Sequence, residues 1–573
     1  MKIYVPARSK EKAEYFKKSN PKLNNVEFVF EIDSLFDFIN NIITSSDDDY
    51  AIIAHDDVFF SCNFNQLAKD LVTELNTEWP NWGICGNAGI TPVGYNLGTP
   101  NIVRYLFDPH GGPNHQRDIF AAESIDGNTI LLNCKALKEY NVKLPSLPGF
   151  QLYDISLSVE TLGSGLAVLI SPKLACFHNS GGNQKNFDEA KKNPTFQDYL
   201  SDRLSNRSIA TLNGPIAFTY KRINTQRFDI EMRALENAAI GKRKHRVAIA
   251  IRTQFRSSAM LFRTVQSVLA FIATSGETTL FIPVIITDKS EHIPDNISQY
   301  AEVIAIDRYK NNNDTRFLLV QDALANVDAD YFWFVDDDDW LFPNEAERVA
   351  LSIACSPPGS IFFLGSQHFI ERLPSKDKVF DPSYSISPGR YYFPQDWVKS
   401  LSGSNHIPFC GIIFCASTLR KLPDHIFKHI TYYEDYTLQL FSLLNSETVP
   451  VIIDKLIAGI SIRNNSFDES MENTVTQEDR TSWKRSCAEL ASVLCNVKYN
   501  PLLLNFPSLE TPKIEVEKFG RIERKLINLY RLGRGIVWFS VCFSRWNEGF
   551  RSFSEGYEKG KIKGLLRSIR DFR

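Results

Sequence analysis

The chain has 573 residues, of which 43% are hydrophobic and 23% are charged, and its formal net charge is -3. This length exceeds one ordinary core and predicts two to four domains at about 150 residues each. The small negative charge argues against a general nucleic-acid-binding protein, so no nucleic-acid partner is expected. Basic charge is concentrated in residues 518–573, whose net charge of +9 leaves -12 for the rest of the chain.

The cysteines and the apolar runs bear on where the protein works. Ten cysteines are scattered without a CxxC pair, which predicts reduced thiols in a cytosolic protein. The opening residues MKIYVPARSKEK contain no apolar signal core. The longest uncharged apolar run, GIVWFSVCF at 535–543, has about half the length needed to cross a bilayer, so no transmembrane helix is expected.

Short β-rich apolar runs alternate with helical patterns in two parts of the chain. This alternation predicts βα units, hence an α/β fold with two tandem Rossmann-like, mostly parallel sheets. The predicted strands of the first part are KIYVPA, VEFVFEI, YAIIAHDD, GICGNAG, TILLN and LAVLISP. Those of the second part are RVAIAIRT, FIPVIITD, EVIAI, YFWFVDDDD, SIFFLGS, GIIFC and PVIID.

These patterns divide the chain into four predicted regions. Residues 1–182 and 247–470 form two α/β domains. Residues 183–246 are polar and lysine-rich, with one helical pattern at FDIEMRALENAAIG, and form a connector. Residues 471–573 contain a helical stretch and then the basic tail.

The two α/β parts resemble each other around their acidic residues. Each has an apolar strand that runs into clustered acids, and each has a later acid at the start of a helical pattern, YDISLSVETL or YEDYTLQLFSLL. Asp57 and Asp154 are 97 residues apart, and so are Asp338 and Asp435. The equal separation in matching contexts predicts a diverged duplication.

The acids of YFWFVDDDDWLFP predict a metal site. Ligands of open α/β sheets bind beyond the carboxyl ends of parallel strands, and alternation aims Asp336 and Asp338 the same way. Such a pair can hold Mg²⁺ or Mn²⁺, whose remaining ligands imply a nucleoside diphosphate. Asp339 is expected to face substrate or cap the turn, and Asp337 to be dispensable. A solvated acidic loop or a calcium loop is the alternative, but the aromatic strand and Trp340 do not match an EF-hand.

With these motifs the second part resembles a family 2 glycosyltransferase of the GT-A fold, from about Val247 to Ser466. The motifs that carry the resemblance are VAIAIRTQFR, VIITDKS, NDTRFLLVQDAL, VDDDDWLFP and YYEDYTL. The resemblance implies contacts to the sugar nucleotide from four residues, namely Arg252, Thr253, Asp288 and Arg316. It also implies that, of the acidic pair Glu434 and Asp435, the aspartate takes the proton from the acceptor hydroxyl. Where the family often has a histidine metal ligand, this chain has SIRNNS, which places Arg463 or Asn465 there.

The first part resembles the same fold more faintly, from Met1 to Gly182. Its HDDV motif is similar to a subgroup whose metal strand ends in H-x-D-V. The resemblance implies Asp154 as the base, Asp57 and His178 as metal ligands, and Asp126 as a contact to donor and acceptor. His55 replaces the first aspartate of D-x-D, which leaves the metal dependence of this part open.

Each of these residues also has a plainer interpretation. Acids in the first turn of a helix interact favourably with its dipole, worth about 0.3–1 kcal/mol, but the repeated spacing favours catalysis by a carboxylate near the acceptor hydroxyl. A single histidine after a strand is more often structural than a ligand, but the NSGG that follows His178 suits a tight loop near a phosphate and favours the ligand role. Arg252, Arg256 and Arg316 suit diphosphate oxygens, and each could equally be a surface charge.

The basic tail RIERKLINLYRLGRGIVWFSVCFSRW is amphipathic and contains Trp538 and Trp546. This pattern is typical of segments that dock on an anionic membrane surface. The alternative is a helix packed on the second domain with its charge solvated. We therefore expect a cytoplasmic protein peripherally associated with the inner face of the plasma membrane.

Together these features predict a bifunctional glycosyltransferase of the hexosyltransferase type. It would transfer sugars from nucleotide-diphosphate donors, UDP-sugars above all, with Mn²⁺ or Mg²⁺, to a lipid-linked oligosaccharide or a growing bacterial surface polysaccharide such as an O-antigen or capsule. In one alternative only the C-terminal site is active and the N-terminal domain holds the acceptor. In another the protein is a non-catalytic carbohydrate-binding scaffold, which would not need Asp435.

Overall fold

The structure is a computed structural model of the chain. The chain divides into two units, Met1–Leu509 and Glu510–Arg573. The predicted basic tail and Arg256 lie outside the described residues. The structure describes residues 1–95, 101–109, 112–114, 118–180, 184–220, 224, 226–255, 257–305, 316–372, 385–401, 405–430, 433–463 and 490.

The N-terminal part is built from short strands and five helices within the described ranges. Its strands are β1 (Lys2–Pro6), β2 (Val26–Val29), β3 (Tyr50–Ala54), β4 (Val58–Phe60), β5 (Trp82–Gly86), β6 (Ala88–Ile90), β7 (Ile102–Arg104), β8 (Leu106–Phe107), β9 (Phe120–Ala121), β10 (Ser124–Ile125), β11 (Thr129–Asn133), β12 (Ala167–Ile170) and β13 (Cys176–His178). Its helices are α1 (Lys10–Ser19), α2 (Leu35–Ser45), α3 (Phe64–Glu78), α4 (Cys134–Glu139) and α5 (Tyr153–Gly163). The main sheet has the order β2-β1-β3-β11-β5-β12-β9.

The predicted connector has more regular structure than its sequence pattern indicated. It contains α6 (Gln184–Ala190), α7 (Pro194–Arg203), β14 (Ser208–Ile209), β15 (Ile216–Ala217) and α8 (Ile230–Ala239). Only α8 coincides with the predicted helical pattern. The helix α7 begins with a proline in its first turn and an Asn193 cap, which are ordinary helix-start signals that the polar composition of the region obscured.

The C-terminal part has a nine-stranded sheet. Its strands are β16 (His245–Thr253), β17 (Thr279–Thr287), β18 (Glu302–Ala305), β19 (Tyr331–Asp336), β20 (Trp340–Leu341), β21 (Ser360–Arg372), β22 (Ser385–Tyr392), β23 (Ile412–Cys415) and β24 (Val449–Arg463). Its described helices are α9 (Ser258–Thr274), α10 (Asp295–Ser298), α11 (Arg316–Asn326), α12 (Ala346–Cys355), α13 (Trp397–Ser400), α14 (Ala416–Leu419), α15 (Asp424–His429) and α16 (Glu434–Leu444). The order is β18-β17-β16-β19-β23-β21-β24-β20, and β22 pairs with β21.

The two sheets share one topology over six strands. The run β2-β1-β3-β11-β5-β12 corresponds to β17-β16-β19-β23-β21-β24. In both runs the first three strands are parallel, the fourth is antiparallel to both neighbours, and the last two are parallel to each other. The predicted α/β fold class is confirmed, and each sheet also includes an antiparallel strand near its middle. The shared order is what a duplicated sequence would produce.

The strand β19 shows why an apolar run can end in acids. Tyr331 to Val335 are all buried, as expected for a strand covered on both faces by other elements. The fully buried Trp333 donates its indole N–H to the carbonyl of Cys410 at 2.8 Å. Asp336 is the first residue of this strand that is only half-buried, so the acids begin where the strand leaves the core.

The two parts of Met1–Leu509 are joined by backbone and side-chain contacts. Gly94 and Ile452 exchange two backbone hydrogen bonds of 2.9 and 2.7 Å. The buried Arg348 on α12 forms an ion pair of 3.0 Å with Glu231 on α8. One cluster of buried apolar side chains includes residues of both sheets, so the two sheets share a core.

Two further expectations concern the compartment. The seven cysteines within the described ranges are free thiols. In the same part of the chain, no helix has both the length and the apolar character required to cross a membrane.

Candidate functional site

Asp56 and Asp57 lie between β3 and β4, beyond the carboxyl end of β3. The strand β4 pairs antiparallel with β13, with His178 opposite Val58. This register places His178 Nε2 3.3 Å from Asp57 Oδ1. The ring of His55 lies 5.5 Å from that of His178, centroid to centroid. His55, Asp57 and His178 present ligand atoms within 4.8 Å of one another.

The protonation of this cluster suits a cation. Burial and the neighbouring His178 lower the pKa of His55, which leaves a neutral imidazole. Burial would raise the pKa of Asp57, but His178, His55 and Arg8 outweigh it and lower this pKa. Burial would lower the pKa of His178, whereas Asp57 and Asp126 raise it. A metal ion would take the place of the proton on His178, because metal binding displaces protons from its ligands.

The ligand atoms of the cluster also face one another. Asp57 Oδ1 and His178 Nε2 are buried and lie 3.3 Å apart, and neither has another hydrogen-bond partner among the described residues. Buried polar atoms are normally satisfied, so this donor set suits a shared cation. Two imidazoles and one carboxylate suit Mn²⁺ or a later first-row ion better than Mg²⁺. The predicted metal residues Asp57 and His178 therefore fit a cation, with His55 as a third ligand.

A largely exposed arginine, Arg8, pairs with the acids of this cluster. Arg8 contacts Asp56 and places Nη2 2.8 Å from Asp57 Oδ2. Its side chain is 61% exposed, while those of Asp56 and Asp57 are 2% and 11% exposed. Arg8 therefore pairs with two buried acids from the solvent side.

The helix α5 brings Asp154 to the same place. Leu152, just before the helix, has a left-handed φ of 67°, and Asp154 is the second residue of the helix. The buried Tyr153 hydroxyl donates to the carbonyl of Gly127 at 2.7 Å and lies 2.9 Å from His55 Nε2. Tyr153 therefore connects the start of α5 with the cluster of His55, Asp57 and His178.

Asp154 has the electrostatics of a general base. Burial and the charge of Asp126 raise the pKa of Asp154 to about 7. Asp126 itself accepts from the backbone N–H of Gly127 at 2.9 Å and from Asn128. The structure thus brings together four predicted residues of the N-terminal site: Asp57, Asp126, Asp154 and His178.

In the C-terminal site, a buried arginine lies beside the first acid. Arg252, at the end of β16, is opposite Asp336 in the parallel register with β19. Its Nη2 lies 2.6 Å from Asp336 Oδ1, and its Nη1 lies 3.1 Å from Glu434 Oε1. The guanidinium also lies 4.6 Å from the centre of the Phe409 ring. Arg252 therefore connects the strand-end acids to the start of α16.

A second buried arginine binds the next acid of the predicted metal pair. Arg463, the last residue of β24, places Nη1 2.5 Å from Asp338 Oδ2. The side chains of Arg252 and Arg463 are each 4% exposed. Asp336 and Asp338, predicted as metal ligands, are thus each paired with a buried cation.

The other two acids of the DDDD run support the loop. The Thr253 hydroxyl donates to Asp337, so Asp337 has a partner although it was expected to be dispensable. The buried Asp339 accepts from the backbone N–H of Ser461 at 3.0 Å. Burial, then the charges of Asp338 and Asp336, raise the pKa of Asp339. Asp339 therefore anchors β24 instead of facing a substrate.

The helix α16 begins as α5 does. Tyr433, just before it, has a left-handed φ of 67°, and Asp435 is its second residue. Asp435 accepts hydrogen bonds from the backbone N–H of Tyr436 at 2.7 Å and from the side chain of Asn405. Burial and the charge of Glu434 raise the pKa of Asp435 to about 6.

The remaining predicted donor contacts surround this site. Arg316 begins α11, and its Nη1 lies 3.9 Å from Glu434 Oε1. Thr253 is buried, and Asp288 directly follows β17. The roles of Arg252, Thr253, Asp288 and Arg316 in donor binding stay predictions.

Several residues of the two sites were not foreseen. Arg8 lies in a polar loop, and Asn405 follows a run of small and polar residues, so neither carries a sequence signal of its own. Tyr153 precedes the proposed base and could have been noted as a buried polar neighbour. The position of Arg463 was foreseen, but its pairing with Asp338 could not be read from the sequence.

Comparisons with known proteins give weak similarities only. No family model matches the chain, and no curated protein matches it. A crystal structure of S. aureus TarS is 12% identical with a TM-score of 0.29, covering 48% of this chain and 44% of its own. TarS 1-349 in complex with UDP-GlcNAc is 13% identical with a TM-score of 0.29, covering 49% of this chain and 77% of its own.

A third solved structure is similar to a smaller share of the chain. GalNAc-T7 with UDP, GalNAc and Mn²⁺ is 11% identical with a TM-score of 0.25, covering 38% of this chain and 44% of its own. The chain thus spans less than half the length of the full TarS and GalNAc-T7 structures. Similarities this low assign no function, so the chemistry must come from this chain's own residues.

Proposed function

We propose that the chain is a bifunctional glycosyltransferase with one site in each α/β part. The observation that carries this proposal is the matched construction of the two sites. In each, a helix that follows a left-handed non-glycine residue places an aspartate of raised pKa near the acids at the end of an equivalent strand. A carboxylate with a pKa near the working pH is suited to general-base catalysis.

The reaction at each site is a displacement at the anomeric carbon of a nucleotide sugar. The acceptor hydroxyl oxygen forms the new bond to this carbon, and the bond from the carbon to the diphosphate oxygen breaks. The nucleoside diphosphate leaves with the electron pair, and the hydroxyl proton moves to Asp154 or Asp435. Concerted attack and proton loss need a carboxylate within hydrogen-bond reach of the acceptor, which is the role we assign to these two residues.

At the N-terminal site, His55, Asp57 and His178 would hold a divalent cation, Mn²⁺ in preference to Mg²⁺. Such an ion would neutralise the charge of the leaving diphosphate. Tyr153 orients the start of α5 by its hydrogen bond to Gly127. Burial and the charge of Asp126 keep the pKa of Asp154 high, so that Asp154 remains a strong enough base when it is deprotonated.

The donors and the acceptor are proposed by chemical class. UDP-sugars are the proposed donors, with contacts from Arg252, Thr253, Asp288 and Arg316 in the C-terminal site and from Asp126 in the N-terminal site. The proposed acceptor is a lipid-linked oligosaccharide or a growing bacterial surface polysaccharide such as an O-antigen or capsule. Two donor sites in one chain suit a repeating disaccharide. The basic tail would hold the protein at an anionic membrane surface.

A transfer assay tests this proposal. Each common UDP-sugar is supplied with Mn²⁺ and a synthetic lipid-linked acceptor, and incorporation is compared among wild type, Asp57→Ala/Asp154→Ala and Asp338→Ala/Asp435→Ala. We expect each double variant to lose one sugar and keep the other. If only the second variant loses incorporation, the N-terminal domain is not a transferase and the single-site alternative holds. If neither does, the protein is not this enzyme.

The membrane role is tested separately. Deletion of residues after Glu517 should release the protein from vesicles that contain anionic lipid, because polybasic segments contribute about 1 kcal/mol per basic residue near such a surface. Unchanged vesicle binding of the shortened chain in a sedimentation assay would contradict this role.

A further inference from the structure

The two sites differ in how their strand-end acids are neutralised. A cation site needs carboxylate or imidazole atoms that converge on one point. Among the residues that the structure describes, one such cluster of His, Cys, Asp or Glu exists, and it is His55, Asp57 and His178. The C-terminal site keeps more aspartates than the N-terminal site, yet its aspartates do not converge in this way.

Internal donors occupy the aspartates of the C-terminal site. Asp336 accepts from Arg252, Asp338 is paired with Arg463, and Asp339 accepts from the Ser461 backbone. A divalent ion between Asp336 and Asp338 would have to displace both arginines or lie beside two positive charges. Metal ions therefore do not fit this site in the arrangement that the structure shows.

Burial fixes these arginines in place. Their side chains are each 4% exposed, compared with 61% for Arg8 in the N-terminal site. Arg252 is further held by Glu434 at 3.1 Å and by the ring of Phe409. Arginine remains charged throughout the accessible pH range. Arg252 and Arg463 are therefore buried parts of the site, whereas Arg8 pairs with its acids from the solvent side.

From these contacts we infer that the C-terminal site binds its nucleoside diphosphate without a divalent cation, because Arg252 and Arg463 occupy the carboxylates that a metal would need. This inference rests on the proposed function of that site. Arg316, whose side chain is 33% exposed beside Glu434, places a cation at the rim. Its planar guanidinium can donate two hydrogen bonds to phosphate oxygens.

The inference assigns the metal requirement to the N-terminal site alone. There two histidines, which can be neutral ligands, present ligand atoms that converge with a carboxylate oxygen of Asp57.

Equilibrium binding of UDP in the presence and absence of metal tests the inference. The full chain carrying Asp57→Asn/His178→Asn, which disables the N-terminal metal cluster, is titrated with UDP by calorimetry, once in EDTA and once in Mn²⁺. We expect the two dissociation constants to agree within about twofold. Binding that is at least about tenfold tighter in Mn²⁺ would overturn the inference and leave the proposed transferase intact. No UDP binding in either condition would overturn both.

A substitution provides a second test with a matched control. Arg463→His removes the guanidinium from Asp338 and adds an imidazole that can bind a metal, so UDP binding by the C-terminal site should become dependent on Mn²⁺. Arg463→Lys keeps the positive charge and should remain independent of Mn²⁺. Thermal unfolding of both variants reports whether the fold is kept. The inference fails if Arg463→His binds UDP equally in EDTA and in Mn²⁺, or if Arg463→Lys requires the metal.

Discussion

At the scale of single residues, the two proposed bases differ in the pH at which they lose their protons. Burial is the larger cause of the raised pKa of both, and a neighbouring acid adds to it: Asp126 for Asp154, and Glu434 for Asp435. The pKa values are about 7 for Asp154 and about 6 for Asp435. Only the deprotonated form accepts a proton, so each site should gain activity as the pH rises through the pKa of its own base.

Single-site variants make this difference measurable. In Asp435→Asn only the N-terminal site is expected to be active, and its transfer rate should reach half of its maximum near pH 7. In Asp154→Asn only the C-terminal site is expected to be active, and its transfer rate should reach half of its maximum near pH 6. Each substitution should lower transfer at its own site by about 10²–10⁴-fold. If the transfer rates of the two variants rose over the same pH range, Asp154 and Asp435 would not be the bases of the two sites.

Arg252 also has a structural role that stability measurements should detect. Arg252→Ala would leave the buried Glu434 without its nearest cation. Breaking a buried pair by removing one partner costs about 3–5 kcal/mol, so the free energy of unfolding in urea should fall by about that much.

The matched control is Lys2→Ala, which breaks an exposed pair whose side chains are 41% and 49% exposed. Exposed pairs contribute little, so this variant should unfold like the wild type. Equal unfolding free energies for Arg252→Ala and Lys2→Ala would show that Arg252 is not a buried structural cation.

At the scale of elements, the starts of α5 and α16 place the two bases. Both follow a non-glycine residue with a φ of 67°, Leu152 or Tyr433. A left-handed conformation costs an L-residue roughly 1–2 kcal/mol. Its presence at equivalent positions of both parts indicates that the geometry of the helix start is required at both sites.

Gly127, which contacts Tyr153 at the start of α5, allows a specific test. A Cβ at Gly127 would overlap the Tyr153 hydroxyl and approach Asp154 Oδ2 at 3.3 Å. Gly127→Ala should therefore displace the base and lower N-terminal transfer by about 10²-fold, since a misplacement of about 1 Å has that effect. Transfer at the C-terminal site should be unchanged.

Gly112→Ala is the control, because its Cβ would make only an ordinary contact with Phe107 at 3.4 Å. Both variants are compared with wild type by incorporation of each sugar. If Gly127→Ala transferred sugar at the N-terminal site as fast as the wild type does, the Tyr153–Gly127 contact would not position Asp154.

The elements also show what the sequence could and could not predict. Strands such as β3 and β19 are continuous apolar runs that end in acids, so their presence and the position of those acids followed from pattern alone. The equal spacing of Asp57–Asp154 and Asp338–Asp435 anticipated two matching sites. Apolar residues seldom adopt positive φ, so no sequence signal pointed to the left-handed Leu152 and Tyr433.

The sequence also did not show which cations neutralise the four consecutive aspartates, and the reason is a different one. Four consecutive aspartates indicate a cation, but a guanidinium and a metal ion both satisfy that indication. The difference depends on where the side chains of Arg252 and Arg463 reach across 84 and 125 residues of sequence, counted from Asp336 and Asp338. Long-range contacts of this kind depend on the register of β16 and β24, which a single sequence does not specify.

At the scale of the molecule, the two α/β parts within Met1–Leu509 are one compact unit. The hydrogen bonds between Gly94 and Ile452 cross from one part to the other, and the pair between Arg348 and Glu231 joins the C-terminal part to α8 of the connector. Such coupling predicts that both sheets unfold together.

Calorimetry of Arg348→Ala tests this coupling. Arg348 is buried and also contacts Glu345 at 3.0 Å, so Arg348→Ala removes its charged hydrogen bonds to two partly exposed acids and should cost about 1–3 kcal/mol. The unfolding transition of the two sheets should stay single and move to lower temperature. A split into two transitions, one of them at the wild-type temperature, would show that the parts unfold independently.

The central claim is that one chain contains two sites that add different sugars. It is tested most directly by mass spectrometry of products formed from a synthetic lipid-linked acceptor and pairs of UDP-sugars in Mn²⁺. Wild type should extend the acceptor by alternating sugars, Asp154→Asn and Asp435→Asn should each stop after at most one addition, and a mixture of the two variants should restore extension. Extension by either variant alone, as in wild type, would contradict the account.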